Sequence, residues 1–146
     1  MNPRIQLAAL VLGVALGACS SGPPKRLHPS TASIQQLAIQ PDGSWHLQLR
    51  VQNFSTFPMR YAGVQARLTV EAQDVGMLDA TTDIEILANS GDVVEARLPR
   101  GPALAPDHDF AYRLEGTIRT SEPSEAFKFE RASRLSPVPG IPNTWR

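Results

Sequence analysis

The sequence predicts an all-β protein, an antiparallel β-sandwich, on three observations. In Trp45-His46-Leu47-Gln48-Leu49-Arg50-Val51-Gln52 the apolar residues take every second position, and they do so again in Val64-Gln65-Ala66-Arg67-Leu68-Thr69-Val70-Glu71-Ala72. Only a pleated strand gathers such residues on one side, whereas a helix scatters them around its axis. Turn signals recur along the chain, and none of its 13 prolines falls inside an alternating run. Proline cannot donate to a sheet ladder, so this placement marks strand limits independently of hydrophobicity. No window carries a helical period. Seven or eight short strands separated by turns are the pattern of a two-layered antiparallel fold, and a closed barrel satisfies the same pattern.

The chain opens on a processing signal. A short, weakly basic start containing Arg4 leads into an apolar run over 5–16. Such a run is too short to span a bilayer comfortably as a permanent helix, and it reads as the core of an export signal over 1–18. It ends in Leu16-Gly17-Ala18-Cys19, small residues before a cysteine, which resembles the bacterial lipobox. The resemblance implies cleavage before Cys19 and diacylglycerol on its sulfur. An ordinary signal peptide with an incidental cysteine is the competing reading. Cys19 is the only cysteine of the chain, so no internal disulfide is available. One acyl chain binds a membrane marginally, while two or more hold firmly. Ser20, rather than Asp, follows the cysteine; by resemblance to sorting rules in diderm bacteria this implies the outer membrane, with the protein facing the periplasm.

Taking 18 residues from the 146 leaves 128, one domain's worth. Loss of Arg4 leaves 13 basic against 14 acidic residues. That balance gives neither the basic stripe a nucleic-acid binder needs nor a polybasic membrane patch. Residues 19–33, dense in Pro, Gly and Ser, read as the lipidated cysteine and a flexible tether in which Lys25 and Arg26 are solvated.

The folded domain is expected over 34–134, with strands at 34–40, 44–53, 61–72, 76–82, 83–87, 93–98, 109–119 and 125–132. The runs 45–52 and 64–72 are expected to form one half-buried antiparallel pair. Asp42-Gly43 fits a tight hairpin turn, and Asn89-Ser90-Gly91-Asp92 a second hairpin-like turn. Expected core residues are Trp45, Leu47, Leu49, Val51, Val64, Leu68, Val70, Ile84, Ile86, Val94, Leu98, Phe110, Tyr112, Leu114, Ile118, Phe127 and Phe129. Residues 135–146 read as a Pro-rich, extended C-terminal tail. Trp145 in it docks on the sandwich or on a partner, or belongs to a loosely ordered tail; composition favours the last.

Several of these residues together carry a resemblance. Leu47-Gln48-Leu49-Arg50-Val51-Gln52-Asn53, then Pro58-Met59 with Tyr61, Leu68-Thr69-Val70 and Val75-Gly76 resemble the late-embryogenesis-abundant type 2 family, also called the water-stress and hypersensitive-response (WHy) domain. Tyr112-Arg113-Leu114-Glu115-Gly116-Thr117-Ile118 is similar to the late strand of that family. The family has Pro directly after the Asn, where this chain has Phe54. The resemblance implies an immunoglobulin-like or fibronectin type III-like sandwich linked to desiccation or envelope stress.

Catalytic and metal chemistry find little support in the sequence. Asp107-His108-Asp109 is the one clustered trio, in a Pro-bounded loop where Asp commonly satisfies backbone donors. The chain has three His and no spaced Cys or His partner, so no metal site is expected. His28 falls in the tether, and His46 points outward. No nucleophile elbow or Gly-rich oxyanion loop is visible, so no catalytic residue, cofactor or small-molecule substrate is expected and the protein reads as a non-enzyme. Asn53-Phe54-Ser55 matches a glycosylation pattern, but Asn53 reads as a turn residue. Asp74, Asp79 and Asp83 read as solvated turn residues, since the Gly-centred ligand run of a calcium loop is absent. Two functional classes follow. The first is a membrane-anchored, stress-associated lipoprotein that binds or shields client proteins; the second is an adaptor in an envelope assembly or transport complex, docking through a strand edge or the tail.

Overall fold

The computed structural model describes residues 22–105 and 107–146, so the expected signal, Cys19 and Ser20 lie outside the described residues. Alternation becomes strand wherever the sequence carries it. In chain order the strands are β1 (Thr31–Ile39), β2 (Trp45–Gln52), β3 (Met59–Val70), β4 (Gln73–Ile86), β5 (Gly91–Leu98), β6 (Phe110–Glu122), β7 (Ser124–Leu135) and β8 (Thr144–Trp145). They form two four-stranded sheets, ordered β5-β2-β1-β8 and β4-β3-β6-β7, with every neighbouring pair antiparallel. The protein is an all-β sandwich.

The core lies between the sheets. Of the residues expected there, all are buried except Ile84, which is half-buried and packs against the core. Ala32, Ile34, Leu37, Met59, Tyr61, Leu78 and Leu135 join them. Each fully buried Leu or Val contributes about 1.5–3 kcal/mol relative to exposure, before conformational entropy is charged against it. Among the described residues every buried apolar residue of the core lies in a strand between Thr31 and Trp145, with Phe57 and Leu104 packed against it from loops.

The expected pairing of 45–52 with 64–72 is corrected. β2 pairs with β1 and β5, while β3 pairs with β4 and β6 in the opposite sheet. Both strands turn their apolar faces inward, but from opposite layers, and alternation alone does not distinguish that from pairing. The Asn89–Asp92 turn is also a crossing between layers, since it joins β4 to β5. The expected strands 76–82 and 83–87 are one strand, β4. Its change of phase is taken up by a register shift opposite Tyr61/Gly63, which lets the ladder continue past Thr82.

The Asp42-Gly43 hairpin forms as expected: Gly43 has φ 83°, and the Asp42 carboxylate accepts from the backbone N–H and hydroxyl of Ser44. The β3–β4 turn carried no such signal. Its central residues, Glu71 and Ala72, have φ 47° and 63°, left-handed positions usually given to Asn or Gly. Glu71 is held there by β6: its N–H donates to the Ala111 carbonyl, and its Oε1 accepts from the Ala111 N–H at 2.7 Å. Gly116, opposite Ala66, permits the close approach of β6 to β3, because a Cβ there would strike the Gln65 carbonyl.

The loosely ordered tail is corrected too. Thr144 and Trp145 form β8 against Ala38 and Leu37, and Arg146 exchanges backbone hydrogen bonds with Ser136. Trp145 is fully buried, meets Phe110 edge-to-face at 5.7 Å, and donates its indole N–H to the His108 carbonyl at 3.1 Å. The segment is Pro-rich, and the buried indole, its bond to the His108 carbonyl and the β8 pairing hold it to the sandwich.

Candidate interaction surface

Asn53 directly follows β2 and organises the loop that carries the chain across to β3. It is fully buried. Its Nδ2 donates to the carbonyls of Phe57 at 3.0 Å, Ile86 at 3.0 Å and Leu87 at 3.1 Å, and its Oδ1 accepts from the Ser55 N–H at 2.8 Å. Two amide hydrogens thus serve three carbonyls, tying the end of β4 to the loop after β2. Asn53 is a turn residue as expected, but an internal one; its amide is spent on the fold, which leaves none of it for glycosylation. The next turn is fastened by the Ser55 carbonyl, which accepts from Asn89 N–H.

The same loop captures the segment before β1. The Thr56 hydroxyl donates to the Pro24 carbonyl at 2.9 Å and accepts from the Arg26 N–H at 2.8 Å, while the Thr56 N–H donates to the Arg26 carbonyl at 3.0 Å. The Ser55 hydroxyl accepts from His28 N–H at 2.8 Å and donates to the His28 carbonyl. Ser30, fully buried, bonds the Tyr61 hydroxyl at 2.7 Å. The expected flexible tether over 19–33 is therefore corrected: from Pro24 onward the chain is fastened to the sandwich, and β1 begins at Thr31. Ser30, Ser55 and Thr56 are the residues sequence reasoning missed. The Asn-x-Ser spacing, which lets an Asn side chain accept from the N–H two residues on, was the signal available.

Several large apolar side chains stay exposed at this end. Leu27 is 42% exposed, Phe54 47% and Leu87 59%. They sit on three separate segments that Asn53 and Ser55 bind together, and the exposed Lys25 and Arg26 precede Leu27. On the outer face of the second sheet, by contrast, charge is matched across strands. Arg60 pairs with Asp83 at 2.6 Å, Arg67 with Asp74 at 2.5 Å, and Arg113 with Glu130 at 2.9 Å, while Gln65 bonds Asp79. The Arg60 guanidinium beside it holds the Asp83 carboxyl below its ordinary range, and Asp83 in turn raises Arg60. Asp74, Asp79 and Asp83 are thus corrected from turn residues to members of β4 with cross-strand partners. The edges of that sheet are β4, which carries these paired carboxylates, and β7, twelve residues long and bonded on one side only, to β6.

The Asp107-His108-Asp109 loop is exposed, and among the described residues no three His, Cys, Asp or Glu gather as metal ligands. His108 contributes its backbone carbonyl to Trp145, and the cleft beside it is lined by Val70, Leu104 and Phe110. His28 uses its backbone on Ser55, and His46 is half-buried in β2 opposite Ala38 and Arg97. Cys19 and Pro106 lie outside the described residues.

No family model matches this chain, and no curated protein matches it. Among solved structures it is similar to a protein from Archaeoglobus fulgidus, at 12% identity and TM-score 0.42, covering 77% of this chain and 98% of that one. It is also similar to the X-ray structure of a Northeast Structural Genomics Consortium target, at 11% identity and TM-score 0.41, covering 80% of this chain and 89% of that one.

Proposed function

We propose that this chain is a lipid-anchored protein of the bacterial envelope whose sandwich, immunoglobulin-like or fibronectin type III-like in class, acts without catalysis by binding or shielding other macromolecules under desiccation or envelope stress. The observation that carries the anchor is Leu16-Gly17-Ala18-Cys19 at the end of a short apolar run, with Ser20 after it favouring the outer membrane and the periplasm. The stress association rests on the resemblance of 47–76 and 112–118 to the WHy domain. A surface that shields exposed apolar patches works by occupancy, so its effect is stoichiometric. Drying or heating a labile enzyme with rising amounts of the 22–146 chain, with and without chelator, tests this. Protection that saturates near equimolar and ignores chelator supports the reading; protection at trace amounts, or its loss with chelator, refutes it.

A second reading is favoured by one observation. β7 presents a long open edge, and a strand edge is a template for an extended segment of a partner. On this reading the protein is an adaptor in an envelope assembly or transport complex, and it gives no protection beyond an unrelated control.

A further inference from the structure

We propose that the end of the sandwich bearing Leu27, Phe54 and Leu87 rests on the lipid surface that anchors the chain. The inference deepens the lipid-anchor reading above and depends on it. Its first ground is chain length. The Pro24 carbonyl is fixed to the Thr56 hydroxyl, and only five peptide steps separate Pro24 from Cys19. Fully extended, five residues reach about 18 Å. A twelve-residue strand such as β3 is about 40 Å long. Whatever its conformation, the link is thus shorter than the domain, and the end it joins stays the end nearest the bilayer.

The second ground is what that end carries. Five large apolar side chains are exposed among the described residues: Leu27, Phe54, Met77, Leu87 and Ile141. Three of them share the end at which the anchored segment meets the sandwich. Met77 lies on the outer face of β4, and Ile141 lies in the segment between β7 and β8, which meets β1 at its opposite end. Leu27, Phe54 and Leu87 belong to segments locked by side-chain hydrogen bonds, so no loop has to reorder before they meet a surface. Exposed apolar side chains held at such a surface gain by entering the boundary between headgroups and acyl chains. Lys25 and Arg26 adjoin Leu27 and favour anionic headgroups. The exposed carboxylates of the same end, Glu85, Asp92, Glu122 and Glu125, offset them, and Asp83 is already paired with Arg60. Contact therefore rests on the apolar tips and does not require anionic lipid.

The test uses the full-length, acylated protein in vesicles of phosphatidylcholine, with and without phosphatidylglycerol. Acylated Cys19 leaves a newly introduced cysteine as the only free thiol, so an environment-sensitive dye is placed at Phe54→Cys, Leu87→Cys or Leu27→Cys, with Met77→Cys and Ile141→Cys as comparison sites. All five positions are exposed, and thermal melts confirm that each labelled protein is folded. Spin-labelled lipid is expected to quench dye at 27, 54 and 87 several-fold more than at 77 and 141, in both vesicle types. Equal quenching at all five sites, with palmitate on the protein, overturns this inference and leaves the anchor standing. Absence of palmitate overturns the anchor and the inference with it. Burial of 54 and 87 only when another envelope protein is added overturns the lipid surface as occupant.

Discussion

Replacing Asn53 by Ala removes the side chain on which the crossing from one sheet to the other depends. Four hydrogen bonds are lost. Two of them, from Nδ2 to the Ile86 carbonyl and from the Ser55 N–H to Oδ1, are enclosed, and two, to Phe57 and Leu87, are partly open to solvent. An enclosed backbone group left without a partner costs about 1–3 kcal/mol, and one that water can reach costs less. The expected loss is about 3–5 kcal/mol out of the roughly 5–15 kcal/mol that holds such a domain together. With a urea m-value of about 2 kcal/mol/M, the unfolding midpoint falls by about 2 M. Asn53→Asp preserves the acceptor but turns a carboxylate toward three carbonyls, so it destabilises at least as much. Gln48→Ala, on the outward side of β2, shifts stability by about 0.5 kcal/mol or less. A loss below about 1 kcal/mol for Asn53→Ala, or a milder effect for Asn53→Asp, would refute the role given to this amide.

Trp145→Ala should cost about 3–5 kcal/mol through loss of a fully buried ring and its bond to His108; an unchanged melting temperature would return the C-terminal segment to a loose tail. Burial raises the Tyr61 phenol above its ordinary 10.0, with the Ser30 hydrogen bond opposing part of the rise. The unfolded phenol ionises first, so this contribution is complete below about pH 10 and is lost as pH climbs through the raised folded value. Tyr61→Phe should lower stability at neutral pH by about 1 kcal/mol, since it breaks the bond to Ser30, and should flatten the alkaline decline. A decline equally steep in both proteins, followed by urea unfolding from pH 9 upward, would place its origin elsewhere.

Much of the sandwich was legible because burial on one face imposes a period of two. Leu47, Leu49, Leu68 and Leu114 needed nothing beyond their spacing to be placed in the core. Layer assignment was not legible from that signal, and β2 and β3 show why: a strand facing the core reads the same from either sheet. The β3–β4 turn was hidden because Glu71 and Ala72 lack turn chemistry and take their conformation from β6. The fastened segment from Pro24 to Ser30 looked like a tether because its composition is that of one, while the groups that hold it, Ser55, Thr56 and Tyr61, lie about thirty residues further along. Asn53 was identified as a turn residue but not as a buried hub, since its partners Ile86 and Leu87 lie more than thirty residues on, at the end of β4 and just past it.

The lipid anchor depends on Cys19, and metabolic labelling with palmitate in a diderm bacterial host tests it directly. The wild-type chain should carry label and stay with the membrane fraction, and Cys19→Ser should carry none and leave that fraction. Label that persists in Cys19→Ser, or a wild-type chain without label that is recovered free of membrane, would contradict the anchor and the orientation built on it.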